Sequence, residues 1–192
     1  MQETFSTQTR HGIEFPGERM EIFFVHGAGG YQDDLPLAEE LHTRLGLPVT
    51  TPRFPDADMS AAGWRSEIER HRNTLAPDLV IVGHSFGASM ALLHLADGFQ
   101  GTPPLGLVLL AMPFWGSEGW QAEYTLPADA KLPTGFPVWL HHCVDDEVVP
   151  IDHLDRHAAR LPQAQVRRHT SGGHQFEGRM AAVAGDVGTL AG

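Results

Sequence analysis

Gly83-His84-Ser85-Phe86-Gly87 is the segment of this sequence with the clearest capacity for chemistry. A serine hydroxyl is a poor nucleophile unless it is exposed and a nearby base can take its proton. Here the pentapeptide follows the apolar run Leu79-Val80-Ile81-Val82 and precedes a helix-period segment that starts near Gly87. A sharp strand-to-helix turn at that place lifts Ser85 above the end of a sheet. Glycine at both flanks permits the turn, since a Cβ there would crowd the neighbouring strand or helix. The turn also brings the Phe86 N–H to a helix N-terminus, where developing negative charge is stabilised, so Phe86 is one expected oxyanion donor. As a bare pattern G-x-S-x-G is common in turns; the strand before it and the helix after it give it weight.

His26-Gly27-Ala28-Gly29-Gly30, directly after another apolar run, offers bare backbone N–H groups near the nucleophile. Ala28 is the expected second oxyanion donor, with Gly29 the next candidate for that role and expected against the substrate. The competing reading, a phosphate cradle, lacks the Lys-Ser/Thr of a Walker loop and the G-x-G-x-x-G spacing. His26 reads as a hydrogen-bonding residue that holds the loop.

A base and an acid must come from later strand ends, because ligands of open α/β sheets sit beyond the carboxyl ends of the strands. The run Val138–Val144 ends in Asp145-Asp146-Glu147-Val148-Val149-Pro150, and the following strand ends in Ser171-Gly172-Gly173-His174. The chain order is then Ser85, aspartate, His174, with His174 accepting the serine proton and a carboxylate fixing the imidazole tautomer. Extended geometry turns Asp145 and Asp146 to opposite sides of the strand end. Asp146 is the preferred acid; Asp145 and Glu147 read as turn and helix-entry carboxylates.

Strands are expected near 21–26, 79–84, 106–112 and 138–144, with a weaker one at 49–54 and a last edge strand at 165–171. Continuous apolar runs suit strands covered on both faces. Helical stripes fill the gaps: Leu37, Leu41 and Leu45 before Gly46; Trp64, Ile68 and Leu75 before Pro77; Ala88, Ala91, Leu92 and Leu95; Leu154, Ala158 and Leu161; Met180, Val183, Ala184 and Val187. This alternation predicts an α/β fold: a three-layer αβα sandwich around a mostly parallel, doubly wound sheet of about six strands. Residues 4–15 are a weak candidate for a further edge strand. The 192 residues, 42% hydrophobic, suit one domain over 1–192. Residues 113–137 break the alternation with Phe114, Trp115, Trp120 and Tyr124, and read as a short lid-like or binding loop in which Phe114, Trp115 and Trp120 line a substrate pocket.

With these pieces in place, the chain resembles the α/β-hydrolase superfamily, and most of all its small, nearly capless serine hydrolases and carboxylesterase-like proteins. The resemblance is carried by HGAGG at 26–30, GHSFG at 83–87, DDEVVP at 145–150 and GGHQF at 172–176, and spans roughly residues 20–190. It implies the α/β-hydrolase fold, with Asp146 and His174 completing a triad with Ser85. The usual first edge strands are short or missing, and the region after 112 is too short for a full helical cap, which implies an open site.

The remaining features are read as structural. His141 and His142 point to opposite faces of a strand and cannot easily share a metal ion with His169 and His174. Cys143 reads as a small buried hydrophobe and Trp64 as core; Asp33 and Asp34 read as N-terminal carboxylates facing a helix dipole. A formal charge of −11 disfavours nucleic acid and anionic membranes. The longest apolar run, 105–115, is well short of the roughly 20 residues of a spanning helix. A lone cysteine and no visible secretory leader favour the cytoplasm. The expected activity is ester-type acyl hydrolysis of a small-molecule acyl substrate through an acyl-enzyme, with no cofactor and no metal. The same constellation would serve an amidase, thioesterase or peptidase, and a non-catalytic binding protein on the same fold is the alternative outside the enzymes.

Overall fold

The computed structural model describes residues 20–96, 99, 101–116 and 121–190. The weak strand candidate at 4–15 and Trp120 lie outside the described residues. Six strands, β1 (Glu21–Val25), β2 (Val49–Thr50), β3 (Leu79–His84), β4 (Gly106–Leu110), β5 (Val138–Cys143) and β6 (Gln165–His169), form one sheet in the order β2-β1-β3-β4-β5-β6. Every pairing is parallel, which is stricter than the mostly parallel sheet expected. The order reverses between β1 and β3: the chain first steps outward to β2, then returns to build the other side. Loops leaving two strands in opposite directions open a crevice at such a switch point.

Five α-helices cover both faces. α1 (Tyr31–Leu45) and α5 (Met180–Gly188) pack on one, and α2 (Ala61–Arg72), α3 (Phe86–Ala96) and α4 (Asp152–Arg160) on the other. Each begins or ends where local chemistry demands. The Gly46 N–H closes α1 onto the His42 carbonyl at 2.8 Å, and the Ser60 hydroxyl caps α2 by accepting the Gly63 N–H at 3.1 Å. Two boundaries differ from the periodic stripes. α2 stops at Arg72, leaving Leu75 packed on the core from the loop beyond; β2 is only two residues long, because Pro52 cannot donate to a ladder.

All eleven residues of α3 are buried, so its sequence is apolar on every side rather than striped. Ile22, Phe23, Phe24, Val80, Ile81, Val82, Leu107 and Val108 are wholly inaccessible, and each such side chain is worth about 1.5–3 kcal/mol of burial. β6 is its opposite, with four of its five residues exposed. The central strands therefore give a stiff base for the loops at their carboxyl ends. Among the described residues no helix is long and apolar enough to cross a membrane.

Candidate active site

The turn between β3 and α3 is built by exclusion. A Cβ on Gly83 would lie 2.6 Å from the Ala88 Cα, and one on Gly87 would lie 2.3 Å from the carbonyl oxygens of both Val25 and His26. Neither contact can relax, since both partners are backbone. Ser85 between them adopts φ +51°, a left-handed conformation that a non-glycine residue takes only where its surroundings enforce it. Its N–H is tied to the Leu110 carbonyl at the end of β4 at 2.8 Å. The side chain then projects into a pocket of about 480 Å³ at the sheet's switch point, lined among others by Ala28, Ser85, Phe86 and His174. That volume suits a small organic ligand.

His174 follows β6 on a loop held by Asp145, whose carboxylate accepts the Gly172 and Gly173 N–H groups at 3.2 and 2.9 Å. Its Nδ1 lies 2.9 Å from Asp146 Oδ2. Asp146 is the carboxylate the ring meets, and Asp145 serves the loop, as the opposite sides of a strand end require. The Asp146 side chain has no exposed surface. Its Oδ1 accepts the Val148 and Val149 N–H groups at 2.9 and 2.8 Å, and His142 Nε2 stands 3.3 Å from Oδ2. Burial alone would raise this carboxyl's pKa; the bonds from His142 and His174 and from the Val149 and Val148 amides outweigh it and hold the group ionised far below the usual range. An ionised acceptor fixes the proton on His174 Nδ1 and leaves Nε2 as the ring's basic nitrogen.

The loop at 26–30 is braced by His26. Its Nε2 accepts the Phe54 N–H at 2.9 Å, so Nδ1 carries the proton and donates to the Gly27 carbonyl at 2.7 Å. This is the holding role read from sequence. Gly29, at φ +65°, stands off the pocket wall, which takes its loop residues from Gly27, Ala28 and Gly30 instead.

No protein-family model matches the sequence, and no curated protein does. Solved structures do. The chain is similar to alpha/beta hydrolase domain-containing protein 10 from mouse (16% identity, 88% of each chain, TM-score 0.68). It is also similar to the ydeN gene product from B. subtilis (17% identity, 89% of this chain and 98% of that one, TM-score 0.69). Est1E from Butyrivibrio proteoclasticus with ferulic acid bound matches at 14% identity over 92% and 91% of the two chains, with a TM-score of 0.67. The chain has the α/β-hydrolase fold.

On this α/β-hydrolase scaffold the segment 113–137 supplies the far pocket wall. Trp115 lines it, with its Nε1 donating to Ser89 Oγ at 2.8 Å, and Tyr124 lines it with its hydroxyl donating to the Met59 carbonyl at 2.7 Å. Phe86 meets Trp64 and Tyr124 edge-to-face, each at a ring separation of 4.8 Å. Phe114 was expected on this wall and is not there: it lines a separate cavity of about 20 Å³, its ring 5.1 Å from His157. The reason is at the root of the segment, where α4 grips the backbone. His157 Nε2 donates to the Pro113 carbonyl at 3.0 Å and the Phe114 N–H donates to His153 Nδ1 at 2.9 Å, which turns Phe114 toward α4 and Trp115 toward Ser85.

Several wall residues escaped the sequence reading. Met59, Gln121, Val148 and Val149 line the pocket, but nothing in their local pattern marks them; Tyr124, one of the aromatics that mark 113–137 as a binding loop, lines it with them. The sequence places Asp34 as a carboxylate facing the helix dipole. It does lie in the first turn of α1, yet it turns inward and accepts the Gly27 N–H at 2.7 Å. His141 and His142 do face opposite ways, His141 toward His169 and Asp186, His142 toward Val149 and Asp146. Among the described residues no group of three or more His, Cys, Asp or Glu could hold a metal ion. Cys143 is buried, and burial together with Asp145 and Asp146 pushes its thiol up to about 12, so it stays protonated.

Proposed function

We propose that the chain is a serine hydrolase that cleaves ester-type acyl bonds, with Ser85 as nucleophile, His174 as general base and Asp146 as the orienting acid. One observation carries the reading: a serine held at φ +51° shares a pocket with a histidine whose Nδ1 is bonded to a buried, ionised carboxylate. Ser85 Oγ attacks the acyl carbon while His174 Nε2 takes its proton. The carbonyl oxygen becomes an oxyanion, met by the Ala28 and Phe86 N–H groups. The tetrahedral adduct collapses, the bond to the leaving oxygen breaks, and His174 returns the proton to that oxygen, releasing an alcohol and leaving an acyl-Ser85 ester. Water, deprotonated by His174, attacks this ester through a second adduct and expels Ser85 Oγ, which regains its proton as the free acid leaves. The imidazolium formed on the way is stabilised by Asp146.

The aromatic wall of Phe86, Trp115 and Tyr124 with Met59 suits an apolar small-molecule acyl or leaving group. Est1E, which shares the fold, has a solved structure with ferulic acid bound, a ligand that joins an aromatic ring to a carboxyl function. The test uses p-nitrophenyl esters of rising chain length and a fluorophosphonate probe. Wild-type protein should be labelled and should hydrolyse the esters, and Ser85→Ala should lose the label and about 10⁴–10⁶-fold of the rate. Equal labelling of the variant, or an inert wild type, would overturn the reading.

A further inference from the structure

A second histidine–aspartate pair lies beside the first, and the mechanism above does not use it. Asp34 is buried to 1% exposure, yet its carboxylate is bonded to three separate parts of the site. Oδ2 accepts the Gly27 N–H of the loop after β1 at 2.7 Å and faces His84 Nδ1 at 2.8 Å, while Oδ1 accepts Gln175 Nε2 at 3.2 Å. His84, next to Ser85 in the chain, continues the link: its Nε2 is 3.0 Å from the His174 carbonyl oxygen. A carboxylate and a peptide carbonyl can only accept, so a proton on each His84 nitrogen would satisfy both contacts. The rings around it are those of His174, at 4.7 Å, and Phe176, at 6.3 Å. Asp34 is thus the one negative charge that faces His84 in the contacts around it.

We propose that Asp34 and His84 are positioning residues for the Ser85 reaction, a buried ionic strut that fixes the loop carrying Ala28, the turn carrying Ser85 and the loop carrying His174 against one another. The inference rests on the hydrolase reading of that site. An ion pair this deeply buried gains little stability over apolar side chains of the same volume, so its worth lies in geometry. The three segments lie towards the start, near the middle and towards the end of the chain, and are loops or turns. Displacing a reacting group by about 1 Å costs on the order of 10²-fold in rate. The Gly27 bond matters most directly, since it sits one residue before the proposed oxyanion donor Ala28.

Asp34→Asn and His84→Gln test the strut, compared with wild type for turnover of p-nitrophenyl esters, fluorophosphonate labelling rate and amide hydrogen exchange. Each should lower kcat roughly 10- to 100-fold with KM within about 3-fold. Exchange protection should fall together at Gly27, whose N–H Asp34 accepts, and at Glu177, whose N–H bonds the Gly172 carbonyl in the loop carrying His174. The double variant should be no slower than the slower single, because both break one unit. Unchanged kcat in a folded variant, or multiplicative losses, would overturn the strut. Should the variants not fold, long-range ¹H–¹⁵N spectra of wild type near neutral pH decide: two ring N–H protons on His84 support it, and a neutral His84 overturns it. A wild type inert to ester and probe would sink the hydrolase reading, while exchange and the His84 spectrum would still decide whether the strut exists.

Discussion

His174–Asp146 and His84–Asp34 bring the same two side chains together at 2.9 and 2.8 Å, a few ångströms apart, and they are built for different work. In the first, the carboxylate occupies only Nδ1 and Nε2 is left toward the pocket. In the second, the other ring nitrogen is taken by the His174 carbonyl. On the proposed reading, a histidine–aspartate contact serves as a base where one nitrogen is free and as a strut where neither is. Location in the fold decides which: His174 closes a loop over the crevice, whereas His84 is the last residue of a central strand, buried to 1%.

The sharpest way to break this contrast is to exchange the two acids' losses. Asp146→Asn should cost on the order of 10⁴-fold in kcat, because the amide favours the wrong His174 tautomer. The same change at Asp34 should cost at most about 10²-fold. Equal losses in kcat measured on one ester would erase the distinction between base partner and strut. A smaller effect is expected at Asp145, whose exposed carboxylate holds only the Gly172 and Gly173 N–H groups. Asp145→Asn keeps an acceptor there and should change kcat/KM by less than about 5-fold. A loss rivalling that of Asp146→Asn would reassign the acid.

Acid titration should leave both pairs intact until late. Burial pushes His157 down to about 4 from an ordinary value near 6.5, so below pH 6.5 the unfolded chain binds more protons than the folded one. Its contribution is complete above that pH and is lost as pH falls toward 4, a decline of roughly 3 kcal/mol. For Asp34 and Asp146 burial works to raise the pKa, but the hydrogen bonds each receives prevail and lower it; their contribution is present above the unfolded value of about 4 and fades below it. Denaturant midpoints should fall between pH 6.5 and 4 with the His174–Asp146 bond still formed, and His157→Gln should lessen that fall, the remainder coming from His94 and His141, which burial pushes down to about 4 and about 3. A midpoint that is level down to pH 4 would contradict it.

Much of the site was legible because its signals are local. The turn at 83–87 is announced by two glycines whose Cβ atoms would meet backbone, and Asp146 differs from Asp145 by the two-residue alternation of a strand end. Phe114 and Trp115 are equally plausible wall residues in the sequence, and only the grip of His153 and His157 on the Pro113–Phe114 peptide separates their directions.

The sequence by itself determined the order of strands and helices, the parallel αβα architecture and the chain positions of Ser85, Asp146 and His174, because hydrophobic period and turn chemistry act over a few residues. The tertiary structure alone decided that Asp34 turns inward to His84, 50 residues away, and to Gln175, 141 residues away. It alone decided that Met59 and Tyr124 share a wall. Contacts across such separations depend on how the layers pack, and no local pattern encodes which polar side chains the packing will bury together.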